Sequence, residues 1–329
     1  MRGPLLSVRD LRVHYATEVG IVRAVDGVWF EVNEGERVCI VGESGSGKTT
    51  VALAIMGLLP RNALVRGEIV YKGRDLLKLS KEELRSIRGR EISMVFQDPL
   101  TSLNPLLTIG VQCSEPYEEH LKLSRKEALQ RAIDMLRKVK IPSPETSVRR
   151  YPHTFSGGMR QRTLIAMMTS LKPRLLIADE PFSALDVSLQ VGLMQLLSEL
   201  VRDFNSSLLL ITHDLGVAAE LCDRVIVMYA GKIVEEADIY TAFERSLHPY
   251  TQGLLKSLPT LERVITRSKL EVLRGLPPDL IKPPEGCRFH PRCPFATDVC
   301  RRDEPRLVEV ERGHKVACWL RMGGIGGAT

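Results

Sequence analysis

The chain has 329 residues (36.8 kDa), 44% hydrophobic and 26% charged, the composition of an ordinary globular protein long enough to bury one large core or two smaller ones. No stretch approaches the roughly 18 apolar residues that a membrane-spanning helix needs, and the start, MRGPLLSVRD, has no apolar core of signal-peptide length. The net charge of +6 gathers in residues 256–329, where 14 Lys/Arg face 9 Asp/Glu, yet 2 Trp and 7 Tyr are too few for the aromatic and basic interleaving that binds single strands. The expectation is a cytoplasmic chain with a solvated basic tail, no nucleic-acid partner, and a link to any membrane only through other proteins.

Residues 5–41 alternate apolar and polar, which predicts half-buried strands. RVCIV (37–41) is a short apolar strand that runs into a Gly-rich turn, and Thr49–Leu59 has helical composition up to Pro60. Charged helices are predicted over Ser80–Arg90 and Ser124–Val139, each opened by a capping box, Ser80 with Glu83 and Ser124 with Glu127. They fall between the Gly-rich turn and the later apolar strands and read as an inserted helical subdomain. Leu175–Ala178 and Leu208–Thr212 are further buried strands, so strands and helices alternate as in a parallel sheet. After about residue 255 the composition changes: eight of the 19 prolines and four of the seven cysteines follow.

The turn Gly42-Glu-Ser44-Gly45-Ser46-Gly47-Lys48-Thr49-Thr50 fits G-x-x-x-x-G-K-[ST] between strand and helix. Its glycines let backbone N–H groups converge on one anion, and the following helix aims its positive end at the same point. Lys48 adds a charge for the β- and γ-phosphates, and Thr49 offers a hydroxyl to Mg²⁺. This motif alone signifies a nucleoside triphosphate.

LLIADE (175–180) is an apolar strand that ends in two acids, Asp179 and Glu180. Phe155-Ser156-Gly157-Gly158-Met159-Arg-Gln-Arg precedes it, with Ser156 lying 23 positions before Asp179. Here the chain resembles the ABC ATPases, whose signature is usually written LSGGQ; Phe155 and Met159 depart from it in the manner of the oligopeptide branch. A Ser-Gly-Gly helix start is a second anion cradle.

The resemblance implies further roles. Ser183-Ala-Leu-Asp186 matches the D-loop at a dimer seam, His213 the switch histidine, Gln97 the Q-loop residue near Mg²⁺ and the permease, and Tyr15 the residue that stacks on adenine. It implies an α/β fold: a P-loop NTPase (RecA-like) core with an antiparallel β subdomain, an inserted helical subdomain and a small cysteine-containing C-terminal extension. The expected boundaries are 1–255 for the nucleotide-binding domain and 256–329 for the extension. It also implies two cassettes sandwiching ATP. Lys48, Thr49, Asp179 and Mg²⁺ (with Gln97) would neutralise phosphate charge, Glu180 would act as general base, His213 would stabilise the moving phosphoryl group, and Ser156–Gly158 would serve the partner's site.

Three stretches resemble the ATP-binding subunits of oligopeptide/dipeptide importers: Gln97-Asp-Pro-Leu-Thr-Ser-Leu-Asn-Pro105, His248-Pro-Tyr-Thr-Gln-Gly-Leu-Leu255 and the cysteine tail from Gly286 to Trp319. Related systems carry nickel or oligosaccharides. The implied partners are a second ABC ATPase subunit, two permeases and an extracytoplasmic binding protein, with this chain peripheral on the cytoplasmic face of the membrane. A soluble ABC ATPase of translation or DNA repair is the alternative; the fused second cassette or long coiled coil usual in those chains does not appear.

Cys287, Cys293, Cys300 and Cys318 are separated by five, six and seventeen residues. In a cytoplasmic protein four close cysteines suggest a metal site. The C-x₂₋₄-C pairs favoured by zinc are absent, whereas iron–sulfur ligation accepts varied spacing. The tail resembles those that hold a [4Fe–4S] cluster, so a cluster stapling the tail is the expectation, with Arg288, Arg292 and Arg301 offsetting its charge, and zinc or free thiols are the alternatives. His290 and His314 are possible ligands whose plainer reading is surface or supporting residues, and Cys39 reads as a small buried residue.

Overall fold

The computed structural model describes residues 3–98, 102–183, 186–258 and 273–322, and only the backbone of Val187. Residues 99–101 of the Gln97–Pro105 stretch and Ala184 and Leu185 of the D-loop lie outside the described residues. The chain divides into two compact units: Met1–Leu5, Val32–Arg37 and Leu76–Ile211 form one, and Leu6–Glu31, Val38–Asp75 and Thr212–Thr329 form the other.

In the first unit, strands β6 (Ile92–Val95), β7 (Leu175–Asp179) and β8 (Ser207–Thr212) lie side by side and parallel. Every residue of the three is buried. That is why they read as unbroken apolar runs: a parallel strand covered on both faces has no solvent side to mark with polar residues.

Helices precede and separate these strands along the chain. The two predicted capping boxes are present. Ser80 caps the helix Lys81–Ile87 and Ser124 caps Arg125–Lys138, each side chain accepting the N3 backbone N–H while Glu83 and Glu127 return the bond. A helix over Ile109–Leu121 was not legible because Pro116 lies inside it and reads as a break. The helix Gly157–Thr169 follows Ser156, and Val187–Asp203 follows Asp186.

In the second unit, β1 (Leu6–Thr17), β2 (Gly20–Val32), β4 (Ala63–Tyr71) and β5 (Arg74–Asp75) form a four-stranded sheet in the order β2-β1-β4-β5. The pairs β1–β4 and β4–β5 are antiparallel. A second sheet segment runs β3 (Arg37–Val41), β9 (Arg224–Tyr229), β10 (Lys232–Asp238), β12 (His314–Val316), β11 (Val308–Glu311), with only β3–β9 parallel. The α/β architecture with an antiparallel sheet and inserted helices is thus the one the sequence predicts.

The helix after the Gly-rich turn spans Lys48–Met56, not Thr49–Leu59. It ends on Gly57 at φ 62°, where the Gly57 N–H donates to Ala54 O and the Leu58 N–H to Leu53 O. A left-handed glycine satisfies the last carbonyls before Pro60 is reached.

The C-terminal segment is tied in by sheet pairing and by aromatic rings. β12 pairs with β10, matching Val316 to Glu235. Phe289, only 1% exposed, meets Tyr229 edge-on at 5.2 Å and also contacts Tyr250 and His248.

Candidate functional site

β3 delivers the chain directly into the phosphate loop. Gly42 (φ 152°) and Gly47 (φ 102°) pass so close to other backbone that an added Cβ would lie 2.2 Å from Met228 O and 2.2 Å from Ala24 O, respectively. Glycine is therefore required by contact as well as by conformation. Lys48 is 6% exposed, and its Nζ donates to Gly42 O (2.8 Å) and Glu43 O (2.9 Å). Ser46 is buried, Ser44, Gly45 and Thr49 are exposed, and the Tyr15 hydroxyl donates to Thr50 Oγ1 at 3.2 Å. Tyr15 thus stands beside the first turn of the loop helix.

In the first unit, the acids sit at the carboxyl end of β7. Asp179 is 2% exposed and pairs in register with Ile211. Glu180 follows with φ 46°, its N–H donating to Ile211 O at 2.8 Å. A glutamate in the left-handed region costs of order 1–3 kcal/mol, strain that concentrates at functional positions. Gln97 leaves the neighbouring strand β6 two residues past Val95, which pairs with Ala178. The parallel register therefore sends Gln97, Asp179 and Glu180 out of the same edge of adjacent strands, where α/β sheets place their sites.

Ser156 caps the helix Gly157–Thr169, its hydroxyl accepting the Met159 N–H. Ser156 and Gly157 are exposed, while Gly158 is buried 3.4 Å (from its would-be Cβ) from Leu189. Asp186 caps Val187–Asp203 through the Leu189 N–H and accepts from the Ser188 hydroxyl, contacts that lower its pKa.

Gln161 was given no role by sequence reasoning. It is 1% exposed, its Nε2 donates to Pro181 O at 2.6 Å, and its Oε1 is buried with no hydrogen-bond partner among the described residues. It ties the signature helix to the residue after Glu180. A polar residue one turn beyond Gly157 and Gly158 was the available signal.

His213 follows β8 and is exposed, just before Asp214 caps the helix Leu215–Leu221. The expected site residues thus divide between the units. Tyr15, Gly42–Thr50 and His213 belong to the second, and Gln97, Ser156–Gly158, Asp179, Glu180 and Asp186 to the first.

The iron–sulfur expectation is corrected. Cys287, Cys293, Cys300 and Cys318 do line one small cavity, with Phe289, Phe295 and Trp319 among its walls. However, among the described residues no group of three or more His, Cys, Asp or Glu side chains is arranged to hold a metal ion, which removes the zinc alternative as well. Burial pushes the Cys287 thiol up to about 12 and raises Cys293 and Cys318.

Two arginines expected to offset a cluster are engaged elsewhere. Arg288 pairs with Asp26 and donates to Ala230 O, and Arg292 holds Glu43 through two bonds of 2.6 and 3.0 Å. His314 is not a surface residue either: it is 2% exposed and bonded to Glu235.

Comparison with known proteins agrees with this geometry. Residues 25–183 match the family model "ABC transporter", and residues 234–300 match "Oligopeptide/dipeptide transporter, C-terminal region". The chain is 47% identical over 319 residues to a dipeptide transport ATP-binding protein of Bacillus subtilis, covering 96% of this chain and 95% of that protein. It is 46% identical over 318 residues to an oligopeptide transport ATP-binding protein of the same organism, covering 96% and 88%. Among solved structures it resembles a dimeric ATP-binding cassette in a post-hydrolysis state bound to ADP and Pi, at 29% identity and a TM-score of 0.64 over 71% of this chain and 98% of that one.

Proposed function

The chain belongs to the ATP-binding proteins of the ABC transporter family, in the branch that carries the oligopeptide/dipeptide C-terminal region, and we propose that it energises uptake of short peptides through partner permeases. It is an ATPase and the motor of an ABC importer. Its relatives' names support a peptide cargo. In this reading residues 1–255 are the motor and 256–329 its extension. The chain works beside a second ATPase subunit and two permeases on the cytoplasmic face of the membrane, fed by an extracytoplasmic binding protein.

Lys48 and the amides of Gly42–Thr50 bind the β- and γ-phosphates. The donor set for Mg²⁺ is all oxygen, the Thr49 hydroxyl and Asp179, with Gln97 at the same strand edge as Asp179. Mg²⁺ takes one or two carboxylates plus substrate phosphates rather than an all-protein cage, so the lack of a three-residue metal group among the described residues is compatible with it. The ion would neutralise charge that develops on the phosphoryl oxygens.

Glu180 takes the proton from the attacking water, and His213 donates toward the transferred phosphoryl group. Ser156, Gly157 and Gly158 present helix-end N–H groups to the nucleotide held by the partner cassette. Tyr15 stacks on adenine, and Asp186 lines the dimer seam. Most of the rate comes from positioning and preorganised charge.

The observation that carries this reading is the strained Glu180 directly after the buried Asp179 at the end of a parallel strand. The test is ATP-driven association. Glu180→Gln should accumulate as an ATP-bound dimer, with itself or with the second ATPase, in size exclusion, and Ser156→Arg should prevent it. A Glu180→Gln protein that stays monomeric with both possible partners present would count against the sandwich.

A further inference from the structure

We propose that Arg292, in the cysteine-bearing extension, is a positioning residue for the phosphate loop: it fixes Glu43 and cancels its charge so that the loop can accept a triphosphate. The proposal rests on the reading that Gly42–Thr50 holds the phosphates of ATP.

Glu43 is the second residue of the loop. Its carbonyl accepts from Lys48 Nζ, its N–H donates to the Tyr250 hydroxyl at 2.8 Å, and its carboxylate is gripped by Arg292. The grip is bidentate. Arg292 Nη1 donates to Oε2 at 2.6 Å and Nη2 to Oε1 at 3.0 Å, the fork geometry in which arginine binds carboxylates most strongly.

The guanidinium is itself held. Its Nε donates to Arg274 O at 3.0 Å, Nη1 also reaches the Tyr229 hydroxyl at 3.3 Å, and the side chain is 5% exposed. The ring cluster of Tyr229, Tyr250 and Phe289 lies beneath it, with Arg292 within 6.0 Å of Phe289 and 5.7 Å of Tyr229. A second part of the extension meets the same loop, since Pro277, Pro278 and Leu280 line a small cleft with Glu43, Ser44, Gly45 and Ser46. All of these residues belong to one compact unit.

The charge is the functional part. A free carboxylate one residue into a phosphate cradle repels the anion that the cradle binds. At about 8 Å and an effective dielectric of about 40, one such charge against one phosphate charge is worth about a sixfold change in affinity. Arg292 removes that repulsion, and because Arg274 O and the Tyr229 hydroxyl hold it in place it also keeps the Glu43 carbonyl where Lys48 uses it. The extension thereby sets the affinity of the loop for ATP without touching the nucleotide.

The test uses full-length protein and steady-state ATP hydrolysis, with melting temperatures in parallel. Arg292→Ala should raise KM for ATP about sixfold with kcat within about twofold. Adding Glu43→Gln to it should return KM to within about twofold of the unmodified protein, even where the melting temperature stays lowered. A purely structural brace would not be rescued in this way.

If Arg292→Ala does not fold, Arg292→Gln makes the same test without the charge. A double variant that keeps the raised KM, or an Arg292 variant with unchanged KM, overturns the proposal. Failure of the underlying loop reading shows separately, as ATP binding that survives Lys48→Ala.

Discussion

Glu235 on β10 and His314 on β12 form a fully buried pair, 2.8 Å apart and 0% and 2% exposed. Glu235 also accepts the backbone N–H groups of Leu247 (2.6 Å) and His248 (3.0 Å). One carboxylate therefore ties β12 of the extension and the turn before the helix Pro249–Lys256 to the same sheet. Removing one partner from a buried charged network leaves the other unpaired, which costs about 3–5 kcal/mol. Glu235→Ala should lose this much in urea unfolding. His314→Ala should lose less, because Glu235 would keep its two backbone donors. Equal losses would mean that the His314 bond dominates.

The loop glycine Gly47 is fixed by a backbone contact, with a would-be Cβ 2.2 Å from Ala24 O at φ 102°. Gly47→Ala combines strain with overpacking, and at least about 2 kcal/mol of stability should go. Binding of a fluorescent ATP analogue should be lost with it. Retained affinity would show that the loop can shift its neighbours cheaply.

Glu180→Gln keeps the size and hydrogen-bonding capacity of the side chain but removes the base. ATP affinity should stay within about twofold while turnover falls by about 10²–10⁴. A single-turnover assay measures both. Hydrolysis at the normal rate would move the base elsewhere.

His248 is 1% exposed, its Nδ1 accepting the Tyr250 N–H at 3.0 Å, and burial lowers its pKa from 6.5 to about 3. Between those values the unfolded chain binds a proton that the folded chain does not. Stability is therefore intact above about pH 6.5 and falls as the pH drops toward 3, by up to about 1.4 kcal/mol per pH unit. Unfolding by urea at pH 7.5 and pH 5.5 should differ by about 1 kcal/mol more in the parent than in His248→Asn. Identical pH dependence in the two proteins would exclude His248 as the cause.

Local rules carried much of the fold. The capping boxes at Ser80 and Ser124, the strand Leu175–Asp179 and the strand Ser207–Thr212 each announce themselves within about ten residues, because caps and buried parallel strands are short-range patterns. The helix over Ile109–Leu121 was hidden by Pro116, and the end at Gly57 was masked by a helical composition that continues to Leu59. The phosphate loop, the signature Ser-Gly-Gly and the acid pair were legible for the same reason: an anion cradle needs glycines, a helix end and a few polar groups in consecutive positions.

The sequence by itself placed the Gly-rich turn, the acid pair and the Ser-Gly-Gly helix start, since each is built from contiguous residues. Tertiary structure alone decided what the tail does. Four cysteines pointed to a metal, but the folded chain sets them around one small cavity with aromatic walls and sends Arg292 across 249 positions to Glu43 and Arg288 across 262 to Asp26. Spacing along a chain constrains neighbours in sequence, whereas the partner of a buried charge is fixed by which surfaces packing brings together.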